Sequence, residues 1–426
     1  MKYLLLFLLI FTQPVYALNI NESIKSTIIN NIKVKNAYEK LNESKEIIEN
    51  SYGKKLPSIT TSISGTYSKS ETETSNVTTT PESFTDKYKI TLTQNIYDGG
   101  VNNLEIDRSN LLYEIEIIRF KNTIQNLILR AIEGYLTVTN FSKSLDANKK
   151  NYDSVQKFLE ETKTKYDIGS ATLFDLQNAE SAFALAETNL FVAEENYNIS
   201  KKTFKRIVSL EAHNLEEIAN LDEKIKLKQV IDTVQKQNLD LLILGLEISN
   251  NEILLSKEKN SKLPSLDLSA SAEYSDTGRI DPGSKKTDGS ISLTLTIPIF
   301  QQNIDNSNIR KYHSKILQSE YNFDDYKSDL EIQALNLFKD YEISRSNIQT
   351  NLKRIKSIET SLDIIKSEYA LGTKSITDII DAESELLSVN VNYHNSKKDF
   401  ILNYFQIKAL QGTLVEMFEN YLPEFN

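Results

Sequence analysis

The chain has 426 residues and a formal net charge of −10, and it contains no cysteine, no tryptophan, 12 glycines and 7 prolines. The absence of cysteine excludes disulfides and thiolate metal sites, and the negative charge argues against a nucleic-acid partner. Because Gly and Pro are scarce and only 39% of the residues are hydrophobic, we expect long uninterrupted helices that bury narrow stripes rather than one large globular core.

The first 17 residues have the pattern of a secretory signal peptide. Lys2 supplies a positive charge, residues 3–12 form an apolar run, and a small-residue cleavage motif ends at Ala17. The apolar run is shorter than a helix needs to span a bilayer, so we favour a cleaved signal over the alternative, a short membrane anchor. We therefore expect an exported protein whose mature chain begins at residue 18.

The mature sequence consists of two halves that share one plan. The stretch that begins at Ile90 (ITLTQNIYDGG) matches the one that begins at Leu293 (LTLTIPIFQQN), and Gly169 matches Gly372 at the same shift of 203 residues. Self-similarity at a fixed shift indicates structural repeats, and we expect both halves to contribute to one body.

The first repeat covers residues 18–207 and the second covers 229–412. The predicted elements of the first repeat are a helix at 18–53, strands at 57–69 and 87–97, a long helix at 101–167 and a return helix at 173–207. Those of the second repeat are a helix at 229–260, strands at 264–275 and 289–299, a long helix at 303–370 and a return helix at 375–411. An irregular, charged equatorial segment at 208–228 joins the repeats, and we expect it to girdle the helices together with a C-terminal tail at 413–426.

The four predicted strands alternate apolar with small polar residues. Ile59 and Ile63, for example, alternate with serines such as Ser62, and a period of two is typical of strands. Segments of about ten residues with one apolar and one Ser/Thr face suit a barrel with lipid outside and water inside. A soluble sheet packed on helices is the alternative, but the long polar linkers at 70–86 and 275–289 resemble outer loops and favour the barrel.

Four strands are too few to close a barrel in a membrane. Single-chain barrels begin at about eight strands, and open edges are not tolerated in lipid. Several chains must therefore share one barrel, with eight strands from two chains or twelve from three.

The long and return helices have the features of coiled coils. The long helices lack proline, and about 65 residues at about 1.5 Å each would extend about 100 Å. In each return helix large apolar residues recur at every seventh position. They are Leu176, Phe183, Leu190, Tyr197 and Phe204 in the first repeat and Ile379, Leu386, Tyr393, Phe400 and Ile407 in the second. Ordinary bundle helices are the alternative, but the sustained heptads favour a mainly α protein with long coiled-coil helices and a membrane β part.

No constellation of residues for catalysis or metal binding stands out. The three histidines (His213, His313 and His394) are far apart in sequence. Asp267 and Glu273 share the polar face of one predicted strand and could be a carboxylate pair for glycoside chemistry, but a solvated lumen does not favour this interpretation. We expect no enzyme, no cofactor and no metal site.

The corners between the long and return helices have a structural explanation for most of their polar residues. Gly169 and Gly372 fit the left-handed position that follows a helix. Capping boxes at the start of the return helices explain Thr172 with Asp175 and Ser375 with Asp378. Asp381 lies a turn further along and has no such explanation, and the first repeat has Asn178 in its place.

Taken together, these features resemble the TolC family of outer-membrane channel proteins. The resemblance rests on the signal peptide, the doubled plan, the IYDGG motif before the first long helix and the stretch YALGTKSITDIIDAES from Tyr369, and it covers essentially the whole mature chain. It implies a homotrimer with a twelve-strand β-barrel in outer-membrane lipid and a long α-helical barrel in the periplasm. It also implies export of drugs or proteins together with an inner-membrane pump or ABC exporter and a periplasmic adaptor.

The resemblance further implies roles for residues at the helix corners. Asp378 and Asp381 match the carboxylates that ring the periplasmic gate. Tyr369, Lys374 and Asp175 match latch residues that hold the gate shut, with Lys374–Asp175 as the expected pair. Lys374 replaces the more usual Arg and lacks its planar, bidentate fork. The adaptor-docking turns are Ile168, Gly169 and Ser170 in the first repeat and Leu371, Gly372 and Thr373 in the second.

Two other functions fit part of the sequence. A passive outer-membrane porin without pump partners would explain the strands but not the long helices. A soluble fibrous coiled coil would explain the helices but neither the alternating strands nor the signal peptide. The class of cargo, small molecules or polypeptides, stays open.

Overall fold

A computed structural model of the chain describes residues 18–74, 77–80, 82–218, 225–278 and 284–422. The predicted signal peptide at 1–17 lies outside these residues, as do positions 219–224 of the predicted equatorial segment and 423–426 of the predicted tail. Among the described residues, no helix combines the length and the apolar character that crossing a bilayer requires.

Long helices and one four-stranded sheet dominate the described chain. The helices are α1 (Ile20–Asn30), α2 (Ile32–Gly53), α3 (Val101–Asp167), α4 (Leu173–Val208), α5 (Leu227–Gln237), α6 (Leu239–Asn260), α7 (Ile304–Ala370) and α8 (Ile376–Leu410), followed by a 3-10 turn at Glu416–Tyr421. The strands are β1 (Ser58–Lys69), β2 (Thr72–Thr74), β3 (Val77–Thr79), β4 (Glu82–Tyr97), β5 (Ser265–Asp276) and β6 (Lys285–Thr296). The predictions of single helices at 18–53 and 229–260 are wrong, because each of these stretches forms two helices.

An asparagine breaks the first helical stretch of each repeat. Asn31 and Asn238 have extended ψ angles of 128° and 125°. The side-chain amide of Asn31 donates to the carbonyl of Ile207 at 3.1 Å, and that of Asn238 donates to the carbonyl of Leu410 at 2.9 Å. Both acceptors lie in the last turn of a return helix, so each break is tied to the end of its own repeat.

The main sheet is antiparallel throughout, in the order β1-β4-β5-β6. Its register aligns one apolar row across the four strands, namely Ile59, Leu92, Ala270 and Ile291. Directly opposite residues share a face, so the apolar residues of the four strands line one face, as their alternation predicted. Every residue of the edge strands β1 and β6 is exposed in the single chain.

Two strands differ in extent from their predictions, and a short hairpin was not predicted. β4 begins at Glu82, not at 87, and β6 covers Lys285–Thr296 instead of 289–299. Polar pairs across β1 and β4 extend that ladder, such as Lys69 with Glu82 at 2.7 Å. The β2–β3 hairpin also lies in a stretch that was predicted as a loop. Cross-strand polar pairs stabilise a sheet without leaving an apolar pattern, which explains why alternation alone missed these residues.

The IYDGG motif forms the corner between β4 and α3. The carboxylate of Asp98 accepts a hydrogen bond from the amide of Gly100 at 2.9 Å. Gly99 has φ +70°, and a Cβ atom there would lie 2.6 Å from the carbonyl oxygen of Asn260. The positive φ and the close contact with Asn260 therefore require glycine at position 99. In the second repeat the equivalent residue is Gln302, which also has a positive φ, of 51°.

The chain divides into two compact units, each built from segments that are distant in sequence. One unit contains the described residues up to 37, those from 120 to 241 and those from 326 onward; the other contains 38–119 and 242–325. The core of the first includes Ile24, Ile128, Ile132, Tyr135, Phe204, Val230, Ile401 and Ile407. The core of the second includes Leu41, Ile106, Ile115 and Leu255.

Small residues at heptad spacing form the most buried stripe of α4. They are Ala179, Ala186, Ala193 and Ser200. Their small side chains permit close approach of a neighbouring helix, and α4 packs against α8. The five large residues predicted at heptad spacing lie beside this stripe, where Phe204 is buried and the other four are half-buried.

Glu216 and Glu217, in the described part of the equatorial segment, bond to the helices. The carbonyl of Glu216 accepts a hydrogen bond from the buried hydroxyl of Tyr135 at 2.7 Å. The carboxylate of Glu217 lies 2.8 Å from the Lys143 ammonium on α3 and 3.0 Å from the Lys397 ammonium on α8. Hydrogen bonds from these two lysines lower the pKa of Glu217 to about 2.

Candidate functional site

Two helix corners contain all the residues to which the family resemblance assigns a role. The first corner joins α3 to α4 and the second corner joins α7 to α8. Gly169 has φ +74° and Gly372 has φ +80°, and a Cβ atom at either position would meet nothing within 4 Å. In the second corner the amide of Thr373 donates to the carbonyl of Glu368 at 3.0 Å, which closes the last turn of α7. The predicted left-handed glycines are therefore confirmed, and backbone conformation rather than crowding requires them.

Capping boxes open both return helices, as predicted. The Thr172 hydroxyl accepts from the Asp175 amide at 3.1 Å, and the Asp175 carboxylate accepts from the Thr172 amide at 2.9 Å. The Ser375 amide and hydroxyl both donate to Asp378 at 2.8 Å. The backbone N–H of Ser375, followed by its hydroxyl and the Lys374 ammonium, holds the pKa of Asp378 below its ordinary value.

The two aspartates of the second corner differ in their surroundings. Asp378 is capped, and the Lys374 ammonium lies 3.4 Å from its carboxylate. Asp381 is exposed, and within the described ranges its carboxylate has neither a hydrogen bond nor an ion pair. In the first repeat the equivalent Asn178 donates to Thr377 on α8, with 3.4 Å between the atoms. Asp381 is thus an uncompensated charge that the first corner lacks.

The three predicted latch residues do not contact one another within one chain. Lys374 faces Asp378 and Asp175 caps α4, so the expected Lys374–Asp175 pair is not formed inside the chain. Tyr369 instead accepts a hydrogen bond from Lys165 on α3 at 3.0 Å, and the same ammonium lies 4.1 Å from the centre of the tyrosine ring. No sequence pattern indicated Lys165, because its partner is 204 residues away.

The turns of both corners are exposed and carry apolar side chains at their tips. Ile168 is 73% exposed and Leu371 is 80% exposed, and Phe174 beside the first turn is 70% exposed. The other predicted docking residues, Gly169, Ser170, Gly372 and Thr373, are exposed as well. The single chain therefore leaves an apolar side chain at each turn available for a partner.

The remaining carboxylates that the sequence offered for chemistry have structural partners. Asp267 accepts a hydrogen bond from Asn95 at 2.8 Å, and Glu273 lies 3.5 Å from the Lys87 ammonium. Among the residues that the structure describes, no group of three or more His, Asp or Glu side chains could hold a metal ion.

Long helices that end in exposed corners, together with a sheet open at both edges, agree with the predicted class of outer-membrane channel proteins. Residues 24–208 and 230–413 each match the sequence profile described as "Outer membrane efflux protein". The chain therefore belongs to the outer membrane efflux protein family. The two matches coincide with the two repeats.

Individual relatives agree with this result. The chain is 24% identical over 407 residues to outer membrane protein TolC of Escherichia coli (strain K12), which covers 89% of the chain and 78% of the relative. It is 19% identical over 312 residues to alkaline protease secretion protein AprF of Pseudomonas aeruginosa, covering 70% and 64% of the two chains. The Campylobacter jejuni CmeC outer membrane channel has a similar fold, with a TM-score of 0.79, 16% identity and coverage of 95% and 90%.

Family membership places the protein in the outer membrane, with a part that extends into the periplasm. Members of the family are efflux channels and not enzymes. The predicted family, localisation and fold class of long coiled-coil helices with barrel strands are thereby confirmed.

Proposed function

We propose that three copies of the chain form one channel-tunnel, which exports small molecules or proteins together with an inner-membrane pump or ABC exporter and a periplasmic adaptor. The observation that carries this proposal is the second corner, where Asp381 is exposed and unpaired within the described part of the chain. A passive porin would need only the strands, and it would have no use for an acidic helix corner. The name of the AprF relative includes secretion of a protease and that of another relative, BepC, includes efflux, which supports both classes of cargo.

The open sheet supports an assembly of several chains. β1 and β6 are the two edges of the sheet, and every one of their residues is exposed in the single chain. Pairing of β6 with β1 of the next copy satisfies the backbone groups at both edges, and three copies close twelve strands. On α4, Leu185, Val192 and Ile199 form an exposed apolar stripe at heptad spacing that suits a helix of a neighbouring copy.

At the entrance, each copy contributes Asp378 and Asp381. Asp381 supplies an uncompensated charge, whereas the cap of α8 already neutralises part of the charge of Asp378. Three copies of each carboxylate attract cations and disfavour anions, as charged rings do in other channels. Tyr369, together with Lys374 and Asp175 of neighbouring copies, holds this entrance shut.

Opening separates the second-repeat helix pair from the first-repeat pair. An adaptor that binds the open arrangement more tightly shifts the population toward it. The exposed apolar side chains of Ile168 and Leu371 are suitable anchors for such a partner, and the left-handed glycines fix the shape of the two turns.

Single-channel recordings of the full-length protein in planar bilayers test the entrance. We expect divalent cations to block the wild-type channel, and we expect Asp381→Asn to weaken the block by about tenfold or more because an unpaired charge is removed three times per channel. Asp378→Asn should weaken it less. Glu180→Gln, which removes an exposed carboxylate from the first-repeat return helix, is the matched control and should conduct like the wild type.

Three results would contradict the proposal. If the double variant Asp378→Asn/Asp381→Asn kept the wild-type block, the acidic ring would be wrong. If chemical cross-linking of the detergent-solubilised protein gave only single chains, the shared barrel would be wrong. A wild-type channel that conducts without cation block and does not co-purify with an adaptor and pump from its host would instead be a passive porin.

A further inference from the structure

A buried carboxylate behind the second corner connects three helices. Glu383 on α8 is 8% exposed. Its Oε1 atom accepts hydrogen bonds from the Ser154 hydroxyl on α3 and from the Lys366 ammonium on α7, each at 2.8 Å. A buried charge is tolerated only where it is paired and hydrogen-bonded, so the Glu383 carboxylate depends on having both Ser154 and Lys366 within hydrogen-bond distance. We call Glu383, Ser154 and Lys366 the Glu383 clasp.

The clasp lies beside an apolar cluster that packs under the second corner. Leu362, Ile376 and Ile379 form the buried centre of that cluster, and Phe158 of α3 packs against it. The Lys366 ammonium lies 5.6 Å from the centre of the Phe158 ring. α3 is therefore bound to the second-repeat helix pair by both packing and hydrogen bonds.

The two repeats differ at this position. Glu180 is the equivalent of Glu383 at the shift of 203 residues, but it is exposed and accepts a hydrogen bond from Gln177 of its own helix at 2.9 Å. Lys163, the equivalent of Lys366, is exposed as well. The same residue types thus make a buried clasp only in the repeat whose corner carries Asp381, so the clasp is not a general requirement of a helix pair in this fold.

The members of the clasp belong to different helix pairs. Lys366 and Glu383 lie on α7 and α8 and move together when the second-repeat pair moves. Ser154 lies on α3, in the first-repeat pair, so its bond to Glu383 breaks when the pairs separate. The bond between Lys165 and Tyr369 also joins the two pairs and breaks in the same movement.

We propose that the Glu383 clasp is a lock inside each protomer that holds the entrance closed, with Ser154 and Lys165 as the contacts that break on opening. The proposal rests on the channel function proposed above. It assigns a gating role to Ser154, Lys165, Lys366 and Glu383, in addition to the contacts between neighbouring copies. These residues act by positioning α7 and α8, not by contact with cargo.

Single-channel recordings test the lock. We expect Ser154→Ala, Lys165→Met and Glu383→Gln each to raise the open fraction of the channel by about tenfold, because a charge-assisted hydrogen bond that exists only in the closed state is lost or weakened. Ser154→Ala and Lys165→Met remove the donor, whereas Glu383→Gln replaces the charged acceptor by a neutral amide oxygen. Block by divalent cations should stay as in the wild type, since Asp378 and Asp381 are retained. Glu180→Gln is the matched control and should leave the open fraction unchanged.

Cross-linking gives a second test, because the chain contains no native cysteine. Ser154→Cys with Glu383→Cys, joined by a short cleavable thiol reagent, should hold the channel closed until a reductant is added. Lys366→Cys with Glu383→Cys, whose native side chains lie 2.8 Å apart, joins α7 to α8, which move together, and this cross-link should not hold the channel closed. A cross-linked Ser154–Glu383 variant that opened like the wild type would overturn the lock.

The outcomes distinguish the lock from the channel itself. If the wild-type protein formed cation-blocked channels and all three clasp variants had wild-type open fractions, the lock would be refuted and the channel function would stand. If the wild-type protein formed no channels, both proposals would be refuted. Thermal unfolding of each variant shows whether it is folded, and Ser154→Ala, which removes only a hydroxyl, decides the matter if Glu383→Gln does not fold.

Discussion

Replacing Asn238 by alanine removes two side-chain hydrogen bonds at the break between α5 and α6. The side-chain amide donates to the Leu410 carbonyl, and its oxygen accepts from the Leu241 amide, both at 2.9 Å. Loss of a helix N-cap costs about 1 kcal/mol, and a buried carbonyl without its donor costs a further ~1–3 kcal/mol. Since Asn238 is only 5% exposed, water cannot easily replace these bonds. We expect the free energy of unfolding to fall by about 2–4 kcal/mol.

Two related variants separate the contributions. Asn238→Ser keeps an oxygen that can cap α6 but cannot reach Leu410, so it should lose about 1–3 kcal/mol. Asn31→Ala removes the equivalent bonds of the first repeat, from Asn31 to the Ile207 carbonyl at 3.1 Å and from the Lys33 amide at 2.9 Å. Asn31 is partly exposed, so water compensates in part and the loss should be about 1–2 kcal/mol.

Urea-induced loss of the helical circular dichroism signal, measured on the full-length protein in detergent, gives the change in stability. Amide hydrogen exchange near Leu410 reports the local effect, and it should accelerate in Asn238→Ala and not in Asn31→Ala. Equal losses in Asn238→Ala and Asn31→Ala, or a serine variant as unstable as the alanine variant, would refute this reasoning.

Two further predictions concern the equatorial segment and a glycine near the C-terminus. The hydrogen bonds from Lys143 and Lys397 lower the pKa of Glu217 from 4.5 to about 2, so the ion pairs stabilise the docked segment above about pH 4.5 and are lost as the pH falls toward about 2. Amide exchange in the segment, divided by the intrinsic rate at each pH, should rise as the pH falls through that window in the wild type and be faster but independent of pH in Glu217→Gln; a wild-type profile without this rise would contradict the assignment. Gly412→Ala should lower the thermal unfolding temperature far more than Gly372→Ala, because both have positive φ but only at 412 would a Cβ atom lie 2.1 Å from the Gln237 carbonyl oxygen. Similar shifts for the two variants would rule out crowding as the cause.

Features that depend on neighbouring residues in sequence could be predicted. The heptad stripe of α4, the alternation of the sheet and the capping boxes all have their partners within a few residues or repeat with a fixed period. Thr172 with Asp175 and Ser375 with Asp378 are the clearest cases, since each capping box is complete within four residues.

Features that depend on contacts across the fold could not be predicted. Asparagine is only mildly unfavourable inside a helix, and the break at Asn238 depends on the carbonyl of Leu410, which is 172 residues away. Lys165, the partner of Tyr369, could not be predicted for the same reason, because the two residues are 204 positions apart in sequence. Glu383 was not identified at all, because its sequence surroundings resemble those of Glu180, and only the packing of α3 makes one of them buried and the other exposed.

The open edges of the sheet have a genetic consequence. In the ring of three chains proposed above, each chain would form two seams, one through each edge strand, β1 and β6. A chain with a damaged β6 edge still offers an intact β1 to its neighbour, so it joins rings and leaves them unclosed. If half of the chains in a cell carry such damage, only about one eighth of randomly assembled rings contain three normal chains. In the proposed ring, damage at a seam is therefore expected to be dominant over the normal allele, whereas a variant that simply fails to fold is expected to be recessive.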